Sequence, residues 1–564
     1  MVVFSYTLVP RSLRAQSQTP PKRIDPGLLT KAKAGDTKSQ LLVGYICATG
    51  VGGPLDLDEA GAWYRKAGEN GDPTAQFTLG WAYLRGLFVP EDHIEAANWF
   101  RKAAEHSDSI DLSKVPPMLF VDKTSYGILG FTFWKGKDLA QDYSQAAVWF
   151  RKAAEQGEAD SQGFLGLLYY NGQGVVRDYA QAAAWFRKAA EQGDPDSQFK
   201  LGVLYRDGLG VPQSDSTAVE WFIKAGGQGN VDAQLALGQF YGHGDGRGKG
   251  LPLDYAQAAV WYRKAAEQGN AEAQFYLGGL FGLGKGVPQD DVQAAAWWLK
   301  SAQQGNVSAE YGIASAYEHG QGVSQDYAQA AAWYRKAAEQ GDDDSEYRLG
   351  SLYEHGQGVT QDLTQAAEWY RKSAEQGNSE AQFHLGALYQ TGRGIPQSFE
   401  RAAHWYRMAA EQGDMMAQLF LASLYERGEG ITQDYAQAII WFRKAADQGN
   451  ATAQYNLGRL YSDGKGAPQD FAEAANWSRK AAVQGLAQAQ GFLGILYRLG
   501  RGVPQNNMAA YFWLDISAAS QTPTPDHDSV IKIRDVVAAE LTPAELANAQ
   551  KQAAEWFAAH PSKP

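Results

Sequence analysis

Thirteen tryptophans of this chain keep one beat: Trp63, Trp99, Trp149, Trp185, Trp221, Trp261, Trp297, Trp333, Trp369, Trp405, Trp441, Trp477 and Trp513. Ten of the twelve intervals are 36 residues; the exceptions are 50, between Trp99 and Trp149, and 40, between Trp221 and Trp261. A chain of 564 residues would otherwise suggest three or four domains, but independent domains do not share a period. A repeat of this length is one supersecondary unit, too small to bury its own apolar face, so its neighbours must cover it. The expectation is a quasi-linear array closed at both ends by atypical segments.

Each tryptophan sits in an alanine-rich stretch such as DYAQAAAWFRKAAEQG at 178–193, which predicts a helix, here helix B. Asp178 is placed to cap it, and Gln181 three residues on completes a variant of the capping box. Asp254/Gln257, Asp326/Gln329 and Asp434/Gln437 repeat the pair. Gly193 ends the helix, and a short link leads into helix A, for example DPDSQFKLGVLYRDG at 194–208. Pro195 there takes the first helical position, where its missing N–H costs nothing, and Gly208 closes the helix before a G-x-G-containing loop. Two antiparallel helices per repeat follow.

The array is expected over 36–519, with insertions near 106–120 and 246–250, and with a capping segment at 28–35. The first repeat is irregular, carrying Cys47 where the other twelve have Tyr or Phe. Residues 520–564 read as a linker with a TPTP run and two capping helices, near 528–540 and 543–558; Thr542-Pro543-Ala544-Glu545 is a capping box opening the second. Residues 1–27 read as a disordered tail or a vestigial export signal: the apolar start is short, with neither a basic n-region nor an A-x-A site. Cytoplasmic and exported locations both stay open.

The recurring L-G-x-L-Y-x-x-G-x-G-V-x-x-D and A-x-x-W-[FY]-x-K-A-A-x-x-G motifs resemble the Sel-one-like repeat (SLR) family, relatives of the tetratricopeptide repeats, over about residues 36–519. The resemblance implies an all-α fold, a right-handed α-superhelical solenoid of about thirteen 36-residue helix-turn-helix repeats with a C-terminal helical cap. It also implies an adaptor that organises protein complexes. Some small members are disulfide-linked and associated with penicillin binding; with one cysteine in this chain, that reading does not carry over.

Composition narrows the partner. Fifty-one Lys and Arg against 63 Asp and Glu give a net charge of −12, without a dense basic run, which argues against nucleic acid. The single cysteine excludes an internal disulfide framework or a multi-cysteine metal site, and no stretch approaches the roughly 20 apolar residues of a membrane span.

Comparing the repeats with one another separates scaffold from working surface. Helix A has a central small residue (Gly166, Gly202, Ala314, Gly350, Ala422), and positions −5, −4, −1, 0 and +3 about it barely change. At about 100° per residue they share one face, the expected core, and the absence of anything larger than alanine at the centre predicts close helix approach. Positions −6, −2, +1 and +5 vary and fall on the other face, which by analogy with tetratricopeptide repeats lines a concave groove. Repeats two to four place Trp81, Phe131 and Leu167 at +1, Leu84, Trp134 and Tyr170 at +4, and Arg85 and Lys135 at +5. Aromatic anchors beside cations suit a peptide; the competing reading packs them under the insertion near 106–120. Repeats eight to eleven are polar, with Arg348, His384, Glu318, His319, Glu354, His355, Glu426 and Arg427. Equivalent residues of successive repeats lie at least a helix spacing of roughly 8–10 Å apart, too far to share a metal. No metal or cofactor is expected, and the Arg-Lys pair after each tryptophan reads as surface charge.

H-E-x-x-H, G-x-S-x-G and C-x-x-C are all missing, and GHGDGRGKG at 242–250 fails the phosphate-loop pattern at Gly250 and His243. The function expected is a non-enzymatic scaffold binding peptide segments or partner domains in the groove. The alternative is an envelope-associated saccharide or peptidoglycan enzyme using groove aromatics and two carboxylates such as Asp207, Glu318 or Glu354, which would have to lie about 5–9.5 Å apart.

Overall fold

The computed structural model describes residues 23–243, 253–519 and 527–560. The tail before residue 23, the expected insertion at 246–250 with its GHGDGRGKG loop, and the TPTP linker fall outside those residues wholly or in part. All regular structure among the described residues is helical, and no helix there is long and apolar enough to cross a membrane. The chain divides into two compact units, one running to Leu280 and including Gly284–Pro288, the other comprising Phe281–Leu283 and Gln289 onward. Within each, a helix packs chiefly on the helices just before and after it in sequence, the arrangement of a solenoid.

The fifth repeat shows how the sequence builds one unit. Helix A spans Pro195–Asp207 and helix B spans Asp215–Gly227. Asp194 accepts from the Ser197 N–H at 2.8 Å, and Gly208 leaves the helix at φ +68°, a conformation a β-carbon would disfavour. Gly210 is required for a different reason. A β-carbon there would sit 2.2 Å from the Tyr179 carbonyl carbon, so the loop lies directly on the first turn of the preceding helix B. The Ser214 N–H then donates to the Tyr205 carbonyl at 2.9 Å and fixes where helix B begins. In the fourth repeat Asp178 caps helix B (Tyr179–Glu191) by accepting from the Ala180 and Gln181 N–H groups at 2.9 and 3.0 Å. The expected return bond from the Gln181 side chain does not form; both halves of a capping box are found at Thr542 and Glu545.

The core lies between helix A and helix B. Ser197, Gln198, Leu201 and Gly202 are buried, as expected for −5, −4, −1 and 0. Leu204, at +2, is also fully buried, whereas Tyr205, at +3, is partly buried against the same core. The difference has a cause: the Tyr205 hydroxyl reaches back to accept from Arg187 of the preceding repeat at 2.6 Å. The pairs Arg151–Tyr169, Arg407–Tyr425 and Arg479–Tyr497 repeat this bond at 2.6–3.0 Å. The regular Arg-Lys pair is thus structural rather than spare surface charge, since the lysine lies over its own tryptophan ring, for example Lys188 at 3.9 Å from Trp185. The tryptophan edge also works between repeats: Trp99 lies 3.0 Å from where a β-carbon of Gly68 would point, and Trp261 3.2 Å from that of Gly226. A buried glutamine ladder adds a further tie. Gln192 donates to Gln162 at 2.7 Å within one repeat, and Gln198 donates to the Ala190 carbonyl of the repeat before at 3.0 Å. Such bonds satisfy polar groups that are costly to bury unpaired.

A first helix, Pro26–Lys33, starts inside the stretch expected as tail, because Asp25 caps it by accepting from Leu28 N–H and Pro26 takes the first position. At the other end, helices His527–Glu540 and Pro543–Ala559 follow the last repeat and cover its helix B, Asn507–Ala518.

The close approach of the paired helices yields a test. A β-carbon at Gly350 would lie 2.8 Å from the Tyr370 ring, while Ala314 and Ala422 hold the same position elsewhere. Gly350→Leu should lower stability by about 1–3 kcal/mol or more through overpacking, and Gly350→Ala by less; equal thermal melts of parent and Leu variant by circular dichroism would refute the close contact.

Candidate functional site

The varied face of helix A carries the expected site residues, and they meet three different fates. Trp81 is in the core. Only 3% exposed, it packs edge-on against Phe77 and Phe100 with ring centroids 6.4 and 5.5 Å away, and Arg85 lies 4.5 Å over its ring. The insertion covers this part of helix A of the second repeat, Pro73–Arg85: the Asp111 N–H donates to Thr74 Oγ1 at 2.8 Å, and Val115 and Leu119 join the core cluster that holds Trp81. Thr74 and Thr78, the −6 and −2 residues, are buried with it. A ligand cannot reach the Trp81 ring, so its place among the groove residues is corrected to packing. Leu84 and Arg85 lie half-buried at the margin of the same cluster.

The next two repeats are open. On helix A of the third repeat, Ser125–Lys135, Phe131 is 41% and Ile128 49% exposed. Phe131 lies 5.7 Å from both Trp134 and Phe164, whose own separation is 5.2 Å. The Lys135 ammonium stands 4.8 Å over Trp134 and 5.8 Å from Phe131. Leu167 and Tyr170 continue the face on helix A of the fourth repeat, Ala159–Asn171; Tyr170 meets Tyr179 edge-on at 5.4 Å. Aromatic rings and one cation are brought together as the spacing suggests.

Arg348 and His384 belong to a polar stretch in the second unit that pairs with itself. His384 Nδ1 lies 3.4 Å from Glu354 Oε2, and the imidazole stacks on Tyr370 at 5.2 Å. Glu354 also accepts from the Tyr370 hydroxyl at 2.8 Å, as Glu318 does from Tyr334 at 2.6 Å. Arg348 bonds Tyr311 and faces the Glu318 charge, and Arg459 pairs with Glu426. The pattern is an acid at +4 of one helix A answering a base at −2 or +1 of the next. Sequence comparison between repeats could have found this rule, since the acid and base positions alternate in register. The hydrogen bond from His384, aided by that from Tyr370, holds the Glu354 carboxyl down to about 2 against an ordinary 4.5. His319 and His355 point their Nδ1 atoms at the Ser315 and Ser351 carbonyls of their own helices, 2.9 and 2.8 Å away. Among the described residues no three His, Cys, Asp or Glu side chains converge on a metal position.

The Sel1 repeat profile matches residues 37–72, 73–108, 128–158, 159–194, 195–230, 231–270, 271–306, 307–342, 343–378, 379–414, 416–450, 451–486 and 487–521. The chain belongs to the Sel1 repeat family. Each matched segment is one helix A with the helix B that follows it, as the bonding described above requires. Among solved structures, this Sel1 repeat chain is similar to a protective antigen of uropathogenic Escherichia coli strains that displays an SLR fold: 34% identity, TM-score 0.54, covering 88% of this chain and 94% of that one. A Sel1 repeat protein from Oxalobacter formigenes is 37% identical, with TM-score 0.44, over 55% of this chain and 90% of that one. Comparison with curated proteins returned no match. Sel1 repeats serve in general as protein-interaction scaffolds.

The carboxylates considered for sugar chemistry are occupied otherwise. Asp207 is bonded by Arg206 at 2.8 and 3.0 Å, and Glu318 and Glu354 hold tyrosine hydroxyls.

A depressed carboxyl contributes stability that is complete above its unfolded value and is lost as pH falls through the folded one. For Glu354 that window runs from 4.5 down to about 2. In Glu354→Gln the fall in melting temperature across this window should be shallower than in the parent; parallel pH profiles would show that the pair does not support the fold.

Proposed function

We propose that this Sel1 repeat protein is a non-enzymatic scaffold that holds peptide segments or partner domains on the helix-A face, with the rings of repeats three and four as one anchoring site. The observation that carries this reading is Phe131, 41% exposed among Trp134, Phe164 and Ile128 while its neighbours in the second repeat are sealed under an insertion. Contiguous exposed apolar surface is costly in water and marks interaction sites on soluble chains. Rigid aromatic side chains bring large contact area at low entropic cost, and Lys135 adds attraction for a carboxylate at the edge. The bonds that recur in every part of the stack do not use these positions, and Phe131 keeps an exposed face beside its contact with Phe164 of the next repeat.

Selection from a random-peptide display library, with the full chain as bait, tests the reading. Peptides enriched on the parent should bind at least tenfold more weakly to Phe131→Ala/Trp134→Ala, whose helicity and melt stay near those of the parent. Trp81→Ala should behave in the opposite way, losing about 3–5 kcal/mol of stability as a core truncation while any peptide bound to still-folded protein keeps its affinity. If the double variant retains full affinity for every enriched peptide, the ring cluster is not the anchor.

A further inference from the structure

Ten of the thirteen repeats place a bulky apolar side chain three residues before the central small residue of helix A, as in Phe77, Phe199, Tyr347 and Phe383. Three have glycine there: Gly127, Gly163 and Gly491. Side chains of neighbouring helices come close at all three. At Gly127 the Glu158 carboxylate lies 2.2 Å from where a β-carbon would point, and at Gly491 Ser517 Oγ and Val530 of the first C-terminal helix come to 3.0 and 3.1 Å. At Gly163 the nearest atom is Ser197 Oγ, at 2.9 Å, and no apolar group covers the position: a cleft of about 520 Å³ opens beside it. Its floor is apolar, made by Phe164, Leu167 and Phe199 over the buried Phe186 ring. Its rim is acidic. Asp160, Asp196 and Asp232, at −6 of three successive helices A, line it together with Asp194, and Lys200 is the one cation among its lining residues. Neither Asp160 nor Asp232 makes an ion pair among the described residues, and Asp196 accepts a hydrogen bond from Asn230 at 2.8 Å.

Each of these three aspartates is the second residue of its helix, where a carboxylate offsets the helix dipole by about 0.3–1 kcal/mol. That role does not account for them by itself. Helices A of the second, eleventh, twelfth and thirteenth repeats form with Thr74, Met416, Thr452 and Gln488 at the same position. Acids also stand there in the seventh, ninth and tenth repeats, as Glu272, Asp344 and Glu380, but Asp160, Asp196 and Asp232 are three in succession and line one cleft.

We propose that this cleft takes a polypeptide segment presenting an aromatic or branched apolar side chain with a Lys or Arg one or two residues away. The apolar side chain lies on the Phe164, Leu167 and Phe199 floor next to Gly163, as Val530 lies next to Gly491, and the cation sits among the rim carboxylates. The inference rests on the groove reading above and gives it a ligand class. Four carboxylates against one ammonium favour a basic segment by charge complementarity, an attraction that weakens as salt rises.

The same display selection decides it, followed by fluorescence anisotropy with the enriched peptides. Expected is enrichment of sequences with Lys or Arg beside Phe, Tyr, Leu, Ile or Val. Asp160→Asn/Asp196→Asn/Asp232→Asn should weaken them by about tenfold, the sum of three exposed ionic contributions. Lys200→Ala should tighten them by about threefold, an opposite sign that a purely structural role for the rim would not give. Replacing the basic residue of the peptide with Glu should abolish the difference between parent and triple variant. Enriched peptides without basic residues, or with equal affinity for parent and triple variant, overturn this inference and leave the scaffold reading standing if Phe131→Ala/Trp134→Ala still weakens them. No enrichment at all overturns both.

Discussion

In nearly every repeat the residue after the tryptophan packs its side chain against an α-carbon that carries little or nothing. Carbons of the Phe222 ring lie 2.6 and 2.8 Å from where a β-carbon of Gly202 would be, and the Phe186 and Tyr406 rings stand similarly over Gly166 and Gly386. This contact sets the distance between helix A and helix B, and much else follows from that distance. Helices this close need a short return, so the loop turns on a glycine at positive φ and ties the N-terminal cap of helix B to the +3 carbonyl of helix A. It also leaves room for only small residues along the opposing face of helix B, which is why alanine recurs there at full burial. Interiors packed at this density transmit any change in volume, so alanine is the upper limit at the centre.

Bonding between repeats uses a separate set of positions. The Arg–Tyr hydroxyl bond, the glutamine ladder, the tryptophan edge and the loop glycine on a neighbouring carbonyl each join one repeat to the next. Because these ties recur, the remaining face of helix A can differ from repeat to repeat without loosening the common frame. The protein uses that freedom in two ways. In the second unit Glu318, Glu354, Glu426, Arg348, His384 and Arg459 neutralise one another across successive helices. In the first, Phe131 keeps an exposed face, and Asp160 and Asp232 beside Gly163 make no ion pair among the described residues. A face that satisfies its own charges offers less to a ligand than one that does not, since binding there must first break what is already made.

Periodicity makes the architecture legible, because each physical role returns at a fixed offset and the side chain it needs is visible thirteen times over. Contacts that cross between offsets stay hidden. Tyr205 at +3 draws the eye away from Leu204 at +2, and its position serves two ends, packing on the core, where Phe133 and Phe281 are buried, and the bond to Arg187. Arg348 and His384 look available in the sequence because their partners sit in another repeat at a different position. Trp81 allows two readings in the sequence, groove or packing under the insertion, for a related reason: the insertion occurs once, so no comparison of repeats decides that its Asp111, Val115 and Leu119 come down on that helix. Recurrence identifies what a stack requires; it says nothing of a segment that appears a single time.

The three glycines at −3 show how an end and a site grow from the same defect. Removing a ring from helix A exposes apolar surface that stacking would otherwise bury, and water is a poor occupant of such a space. At Gly491 the array is ending, and the C-terminal helix supplies Val530 to cover the exposed face. At Gly127 the residue before the next helix A supplies the filling group, Glu158, which also accepts from Ser161 at 2.6 Å and so keeps its carboxylate bonded. At Gly163 the neighbouring helix offers Ser197 and Asp194 at 2.9 and 3.6 Å, polar groups that border the space without filling its apolar floor. A terminal cap is in this sense a ligand carried on the same chain. The chemistry of Val530, a branched apolar side chain on a helix that also brings Arg534 to Asp515 at 3.4 Å, joins an apolar plug to a cation answering a carboxylate.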